Sequence, residues 1–187
     1  MRMRRNHAAA AAVMLVALGL AGCAPDAGPG GSPTATPSAS PTASPTPSPT
    51  PQAAPLTLYY VVLGDNGASG EMIGCGDSLV ASETDPVATD DPLRASMERL
   101  LADPERELGG TPSLYSAIPG GTLAYVSGEV DGGTVTVELT GAPAPAGECD
   151  NPRIETQLKR TAMAASGASE AVILVDGETI EDVLSLK

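Results

Sequence analysis

The chain has 187 residues, with 23 acidic side chains against 10 basic ones and a net charge of −13. Phosphate backbones are bound by clustered Lys and Arg, so this balance argues against nucleic acid as a partner. The only histidine is His7, and Phe and Trp are absent, which removes Ser-His-Asp and Cys-His catalysis and His-ligated metal sites from the rest of the chain and leaves little for stacking bases or sugars.

Arg2, Arg4 and Arg5 precede an apolar run from Ala8 to Leu20 that leads into Leu20-Ala21-Gly22-Cys23. The run is shorter than the ~20 residues a membrane-spanning helix needs, so residues 1–22 are expected to be a signal peptide. Small residues directly before a single cysteine resemble the lipobox of bacterial lipoproteins. The resemblance implies lipidation of Cys23 and anchoring at the extracytoplasmic face of the cell membrane. An ordinary secretory signal that happens to contain a cysteine is the alternative. Loss of residues 1–22 removes three of the 10 basic residues and no acid, leaving seven against 23 and a net charge of −16.

Residues 23–55 then form a Pro/Ser/Thr-rich segment with Pro33, Pro37, Pro41, Pro45, Pro47, Pro49, Pro51 and Pro55. Without large apolar groups it cannot bury a core, and proline biases it to polyproline II, so a disordered spacer is expected. At ~3.1 Å per residue it could reach on the order of 100 Å from the membrane when extended. A Ser/Thr-Pro stalk carrying O-linked sugars is compatible with the same composition.

Residues 56–187 contain 34 Leu, Ile, Val or Met and are read as one domain. Leu56 to Leu63 is β-branched and aromatic and ends at Gly64-Asp65-Asn66-Gly67, which predicts a strand; Glu71 to Ser82 predicts a second, weaker one. Asp91-Pro92 reads as N-cap and first helical residue. Leu93, Met97, Leu100 and Leu101 then share one helical face, and the helix stops near Asp103-Pro104. Between Thr122 and Thr140, two extended runs flank Asp131-Gly132-Gly133, predicting a hairpin. Asn151-Pro152 repeats the capping device before a second helix with Ile154, Leu158 and Ala162 inward and Gly167 as C-cap. Ala171 to Val175 is an apolar strand, and the last ten residues form a short amphipathic element through Ile180, Val183 and Leu184. The order predicts an α+β fold: a small mixed β-sheet with two helices packed on one face.

Beyond Cys23, the two cysteines left are Cys75 and Cys149, an even count in an exported domain, so a disulfide is expected. A thiol redox site is the competing reading, but the pair lacks Cys-x-x-Cys spacing. Asp85, Asp90 and Asp91 could suggest calcium, yet the EF-hand pattern is missing and Asp91 has a sufficient role as a cap. No metal site, cofactor or catalytic constellation is expected: Ser-x-x-Lys and Gly-x-Ser-x-Gly do not occur, and Gly120-Gly121 reads as a turn. Lys159-Arg160 reads as a solvated helix face.

Ser113-Leu114-Tyr115-Ser116-Ala117-Ile118-Pro119-Gly120-Gly121-Thr122 followed by Val130-Asp131-Gly132-Gly133-Thr134-Val135-Thr136-Val137-Glu138-Leu139-Thr140 resembles the GerMN domain of sporulation and spore-germination lipoproteins. Tyr59-Tyr60-Val61 resembles its opening strand, Leu93 to Leu101 its first helix, Glu155-Thr156-Gln157 with Thr161 its second, and Val172 to Gly177 its closing strand. The Cys75/Cys149 pair has no counterpart in that pattern. The resemblance implies a fold akin to ring-building modules and a non-catalytic role in protein-protein contact, with an envelope protein or with further copies of the chain as partner. A lipoprotein that binds a small ligand, cationic in view of the net charge, is the alternative. Carboxylate-pair catalysis needs only Asp and Glu and is a third reading.

Overall fold

The computed structural model describes residues 52–185. The expected signal peptide, Cys23 and most of the proline-rich segment lie outside the described residues.

Strand β1 (Thr57–Val62) forms where the β-branched and aromatic run predicts it. The stretch expected as one second strand is a hairpin instead, with β2 (Glu71–Ile73) and β3 (Asp77–Glu83) joined by a 3-10 turn at Gly74–Gly76. The reason is local: Cys75 and Gly76 both take positive φ, 65° and 73°, which no continuous strand accommodates. Helix α1 (Pro92–Leu101) begins as expected, the Asp91 carboxylate accepting the Arg94 N–H at 2.9 Å. Two short strands that pattern reading did not find follow, β4 (Glu107–Gly109) and β5 (Leu114–Tyr115). At three and two residues they are too short for alternation to register.

The hairpin β6 (Leu123–Asp131) and β7 (Thr134–Gly141) turns at Gly132-Gly133. Helix α2 (Asp150–Ser166) starts two residues earlier than Asn151-Pro152 suggests, and the expected Asn151 cap is not made. Asn151 lies inside the first turn, and its amide donates to the Leu184 carbonyl at 3.2 Å. At the other end Gly167 closes the helix in the left-handed region, donating to the Met163 carbonyl at 2.9 Å. Strands β8 (Glu170–Val175) and β9 (Glu178–Thr179) and helix α3 (Ile180–Ser185) complete the order.

The α+β class holds, but the strands form two sheets rather than one. The first is antiparallel, ordered β2-β3-β1-β5-β4. The second is mixed, ordered β6-β7-β8-β9, with β7 and β8 parallel. Helix α2 packs on β1 of the first sheet and on β7 and β8 of the second; α1 packs on α2, β6 and β1. A single core results, in which Leu58 and Tyr60 meet Met97, Leu100, Val135, Val137, Ile154, Leu158 and Ile173.

What keeps the sheets apart is visible at Tyr59. Its backbone faces the edge of β1 that pairs with β5 only at Val61. There the Tyr59 N–H donates to Thr161 Oγ1 at 3.0 Å, and its carbonyl accepts from Gln157 Nε2 at 3.0 Å. Two side chains of α2 thus take the place another strand would occupy.

Candidate functional site

The densest polar constellation lies where the β2–β3 turn, the β4–β5 region and the start of α2 converge. Asp77 opens β3 and Asp150 opens α2, and both are about as buried as core leucines, at 1% and 2% exposure. A carboxylate at such depth must be paired, because isolated burial of an ion costs several kcal/mol or more. Arg153, one turn along α2 from Asp150, bridges the two. Its Nε and Nη2 approach Asp77 Oδ2 at 2.6 Å, and its Nη1 donates to Asp150 Oδ1 at 3.1 Å. Arg106 closes the other side, with Nη1 at 2.9 Å from Asp150 Oδ2 and 3.0 Å from both the Tyr115 hydroxyl and the Ala117 carbonyl.

Backbone donors complete the shells. Gly64 N–H donates to Asp77 Oδ1 and Ala146 N–H to Asp150 Oδ2, each at 2.8 Å. The Tyr115 ring lies under the Arg153 guanidinium at 5.6 Å, and its hydroxyl is within 3.2 Å of Asp150 Oδ1. Burial raises the Tyr115 pKa, and the neighbouring Asp150 carboxylate adds to this against the lowering effect of Arg106. For Arg153, burial opposes the charge, but the hydrogen bonds to Asp77 and Asp150 outweigh it and raise the pKa. Arg153 is therefore held in the charged form that makes it a tie.

The disulfide Cys75–Cys149 sits directly beside this network. Cys149 immediately precedes Asp150 and Cys75 lies two residues before Asp77, so the covalent and ionic ties join the same two chain segments. A Cβ on Gly74 would lie 3.0 Å from Pro152 Cγ, so the bare glycine lets the turn approach the head of α2. The cysteine pairing was legible from their number alone. The Arg106, Asp77, Asp150, Arg153 network was not, because its members are separated in sequence and each looks like an ordinary surface charge.

A second buried device is Gln157, which is fully buried and also accepts the Ala117 N–H at 2.8 Å through Oε1. Gln157 and Thr161, picked out in the sequence only by resemblance, are thus the pins between α2, β1 and the loop at Ala117. The Tyr60 hydroxyl donates to Asp103 Oδ2 at 3.2 Å; burial and the Asp103 charge push its pKa up to about 12.

Asp85, Asp90 and Asp91 do not converge, and no cluster of His, Cys, Asp or Glu able to hold a metal occurs among the described residues. Lys159 and Arg160 are more engaged than a solvated face implies. Lys159 pairs with Glu155 at 2.8 Å and with Glu181 of α3; Arg160 pairs with Glu71 at 2.8 Å and covers the Tyr59 ring. Burial disfavours the Lys159 charge, but these carboxylates more than compensate and raise its pKa; Glu181, likewise partly buried, is lowered by Lys159.

In the first sheet, whose strands carry no Lys or Arg, Glu71 and Asp77 are paired from α2 while Glu83 and Glu107 make no ion pair among the described residues; the second sheet has no such tie. Its four strands carry Glu129, Asp131, Glu138, Glu170 and Glu178 with no Lys or Arg, and none of the five makes an ion pair among the described residues. The hollows of the surface are open to solvent rather than enclosed. One of about 310 Å³ is lined by Tyr60, Glu83, Asp85, Val87 and Arg99.

A search among curated proteins finds no match. Among solved structures, the tandem GerMN domains of the sporulation protein GerM from Bacillus subtilis are similar at 16% identity and a TM-score of 0.44, over 74% of this chain and 44% of that one. The chain therefore spans less than half the length of that structure. The profile described as "Germane: Sporulation and spore germination" matches residues 57–181, from the first residue of β1 into α3, and the chain belongs to the Germane (GerMN-type) family.

Proposed function

We propose that the protein is a lipid-anchored, non-catalytic interaction module that presents its Germane domain outside the cytoplasmic membrane and contributes to an envelope assembly. The observation that carries this reading is the division of its charges. The buried carboxylates Asp77 and Asp150 and the half-buried Arg153 are consumed in holding chain segments together, while the carboxylates of the second sheet make no ion pair among the described residues. Residues that do chemistry need a reacting position left open beside them, whereas these pairs are closed on one another. Small-ligand binding is the weaker reading, since in the hollow beside Tyr60 the carboxylates Glu83 and Asp85 share the lining with Arg99, which offsets their pull on a cation.

The anchor rests on Leu20-Ala21-Gly22-Cys23. Expression of the full chain in a bacterial host tests it: the protein is expected in the membrane fraction with a diacylglyceryl-modified Cys23, and Cys23→Ala is expected to leave that fraction. A Cys23→Ala protein still held at the membrane overturns the anchor. Crosslinking on intact cells should recover one reproducible envelope partner, or the chain itself; recovery of neither overturns the assembly role.

A further inference from the structure

We infer that the free edge of β6 is a docking site for an extended, basic protein segment that adds to the second sheet as a further strand. This deepens the interaction-module reading above and rests on it.

The edges of the two sheets are unequal. The first sheet ends in β2 and β4, of three residues each, and the second ends on one side in β9, of two. On its other side lies β6, nine residues long and paired with β7 alone. A long unpaired edge is a template for another strand unless something covers it. Among the described residues no backbone hydrogen bond beyond the sheet ladder is made by residues 123–131.

The turn defines which groups are free. Gly132 and Gly133, both with positive φ, form a two-residue connection closed by the pair Asp131 and Thr134. In an antiparallel ladder counted from such a turn, Asp131, Glu129 and Ser127 direct their N–H and C=O toward β7, and Val130 and Gly128 direct theirs outward. The register shift between Tyr125 and Ser127 ends regular pairing, so the usable edge is Ser127 to Asp131.

Side chains on that stretch specify the occupant. Glu129 and Asp131 project to the face shared with Thr136 and Thr134, and Val130 projects to the opposite face with Val135 and stays 54% exposed. A second copy of β6 would set these carboxylates against their equivalents, which is repulsive. An incoming strand with Lys or Arg on one face and an apolar residue between them matches both faces. Arg94, whose guanidinium lies 5.5 Å from the Tyr125 ring centroid, does not satisfy the edge carboxylates, because it pairs with Glu98 at 3.2 Å.

The test uses the full chain in detergent and a fluorescent peptide of alternating valine and lysine, with a valine-glutamate peptide as control. Binding is expected for the lysine peptide only, weakening as salt rises, with slowed amide exchange at Gly128 and Val130. Val130→Pro removes one outward N–H while sparing the ladder to β7 and should weaken binding about five- to tenfold. The double variant Glu129→Gln with Asp131→Asn should weaken it without disturbing the fold, and decides the matter if Val130→Pro misfolds. Equal binding of both peptides, no binding, or binding indifferent to these variants overturns the inference. So does a dimer of the chain that Val130→Pro dissolves, since the occupant would then be a second copy. A crosslinked partner retained by Val130→Pro in cells would remove the β6 site and leave the interaction-module reading intact; absence of any partner would remove that wider reading.

Discussion

The two sheets of the domain differ in how their acidic side chains are met. In the first, Glu71 and Asp77 are answered by Arg160 and Arg153 of α2 while Glu83 and Glu107 make no ion pair among the described residues, and the disulfide pins the β2–β3 turn to the head of that helix. In the second, Glu129, Asp131, Glu138, Glu170 and Glu178 have no ion-pair partner among the described residues, and the sheet ends in the long edge of β6. A buried charge is costly until paired, while an exposed one is nearly neutral to folding. The difference teaches that Arg106, Arg153 and Arg160 sit where they tie the first sheet and the neighbouring loops to α2, which leaves the carboxylates of the second sheet without ion pairs.

If that division is correct, the largest losses of stability cluster around the first sheet. Replacing both Cys75 and Cys149 by serine opens a loop with a sequence separation of 74 residues. By the chain-entropy argument this should cost about 4 kcal/mol, read from urea unfolding of the full chain. Asp150→Ala should follow, at about 3 kcal/mol or more, because it leaves the guanidinium groups of Arg106 and Arg153 without a shared carboxylate. A loss near zero would mean that the network is solvated and the comparison is wrong.

Gln157→Ala strips the Tyr59 carbonyl and the Ala117 N–H of their partner and is expected to cost about 2 kcal/mol. Its added signature is faster amide exchange at Ala117. Tyr60→Phe should cost about 1 kcal/mol, and it sharpens the comparison through pH. The folded pKa of Tyr60 is raised from 10.0 to about 12, so the fold favours the protonated phenol. That contribution is whole below pH 10.0 and disappears as pH rises toward about 12. The alkaline loss of stability in this window should therefore be smaller in Tyr60→Phe than in the parent. Smallest of all, Glu129→Gln with Asp131→Asn should shift stability by no more than about 0.5 kcal/mol. A large change there would place the second sheet's carboxylates in the fold rather than on a surface for partners.

Local signals carried most of the element order. The Asp91-Pro92 cap, the alternation of Val135, Val137 and Leu139, and Gly167 as C-cap all depend on neighbours in sequence and appear where expected. The signals failed where a tertiary contact outweighed a local one. Asn151 has the look of a cap, yet it is drawn into the helix and bonded to Leu184. Strands β4 and β5 exist through their pairing with each other and with β1 rather than through any pattern of their own.

By itself the sequence determined the α+β class, the even cysteine pair and the GerMN likeness, because composition, periodicity and count are properties of the chain as written. Only the tertiary structure decided that the strands divide into two sheets, since that depends on Gln157 and Thr161 of α2 reaching the backbone of Tyr59, about a hundred positions away. It alone separated the tied carboxylates from those left facing outward. Charge is written in the sequence, but depth and distance to a guanidinium set its cost and its use, and both arise from folding.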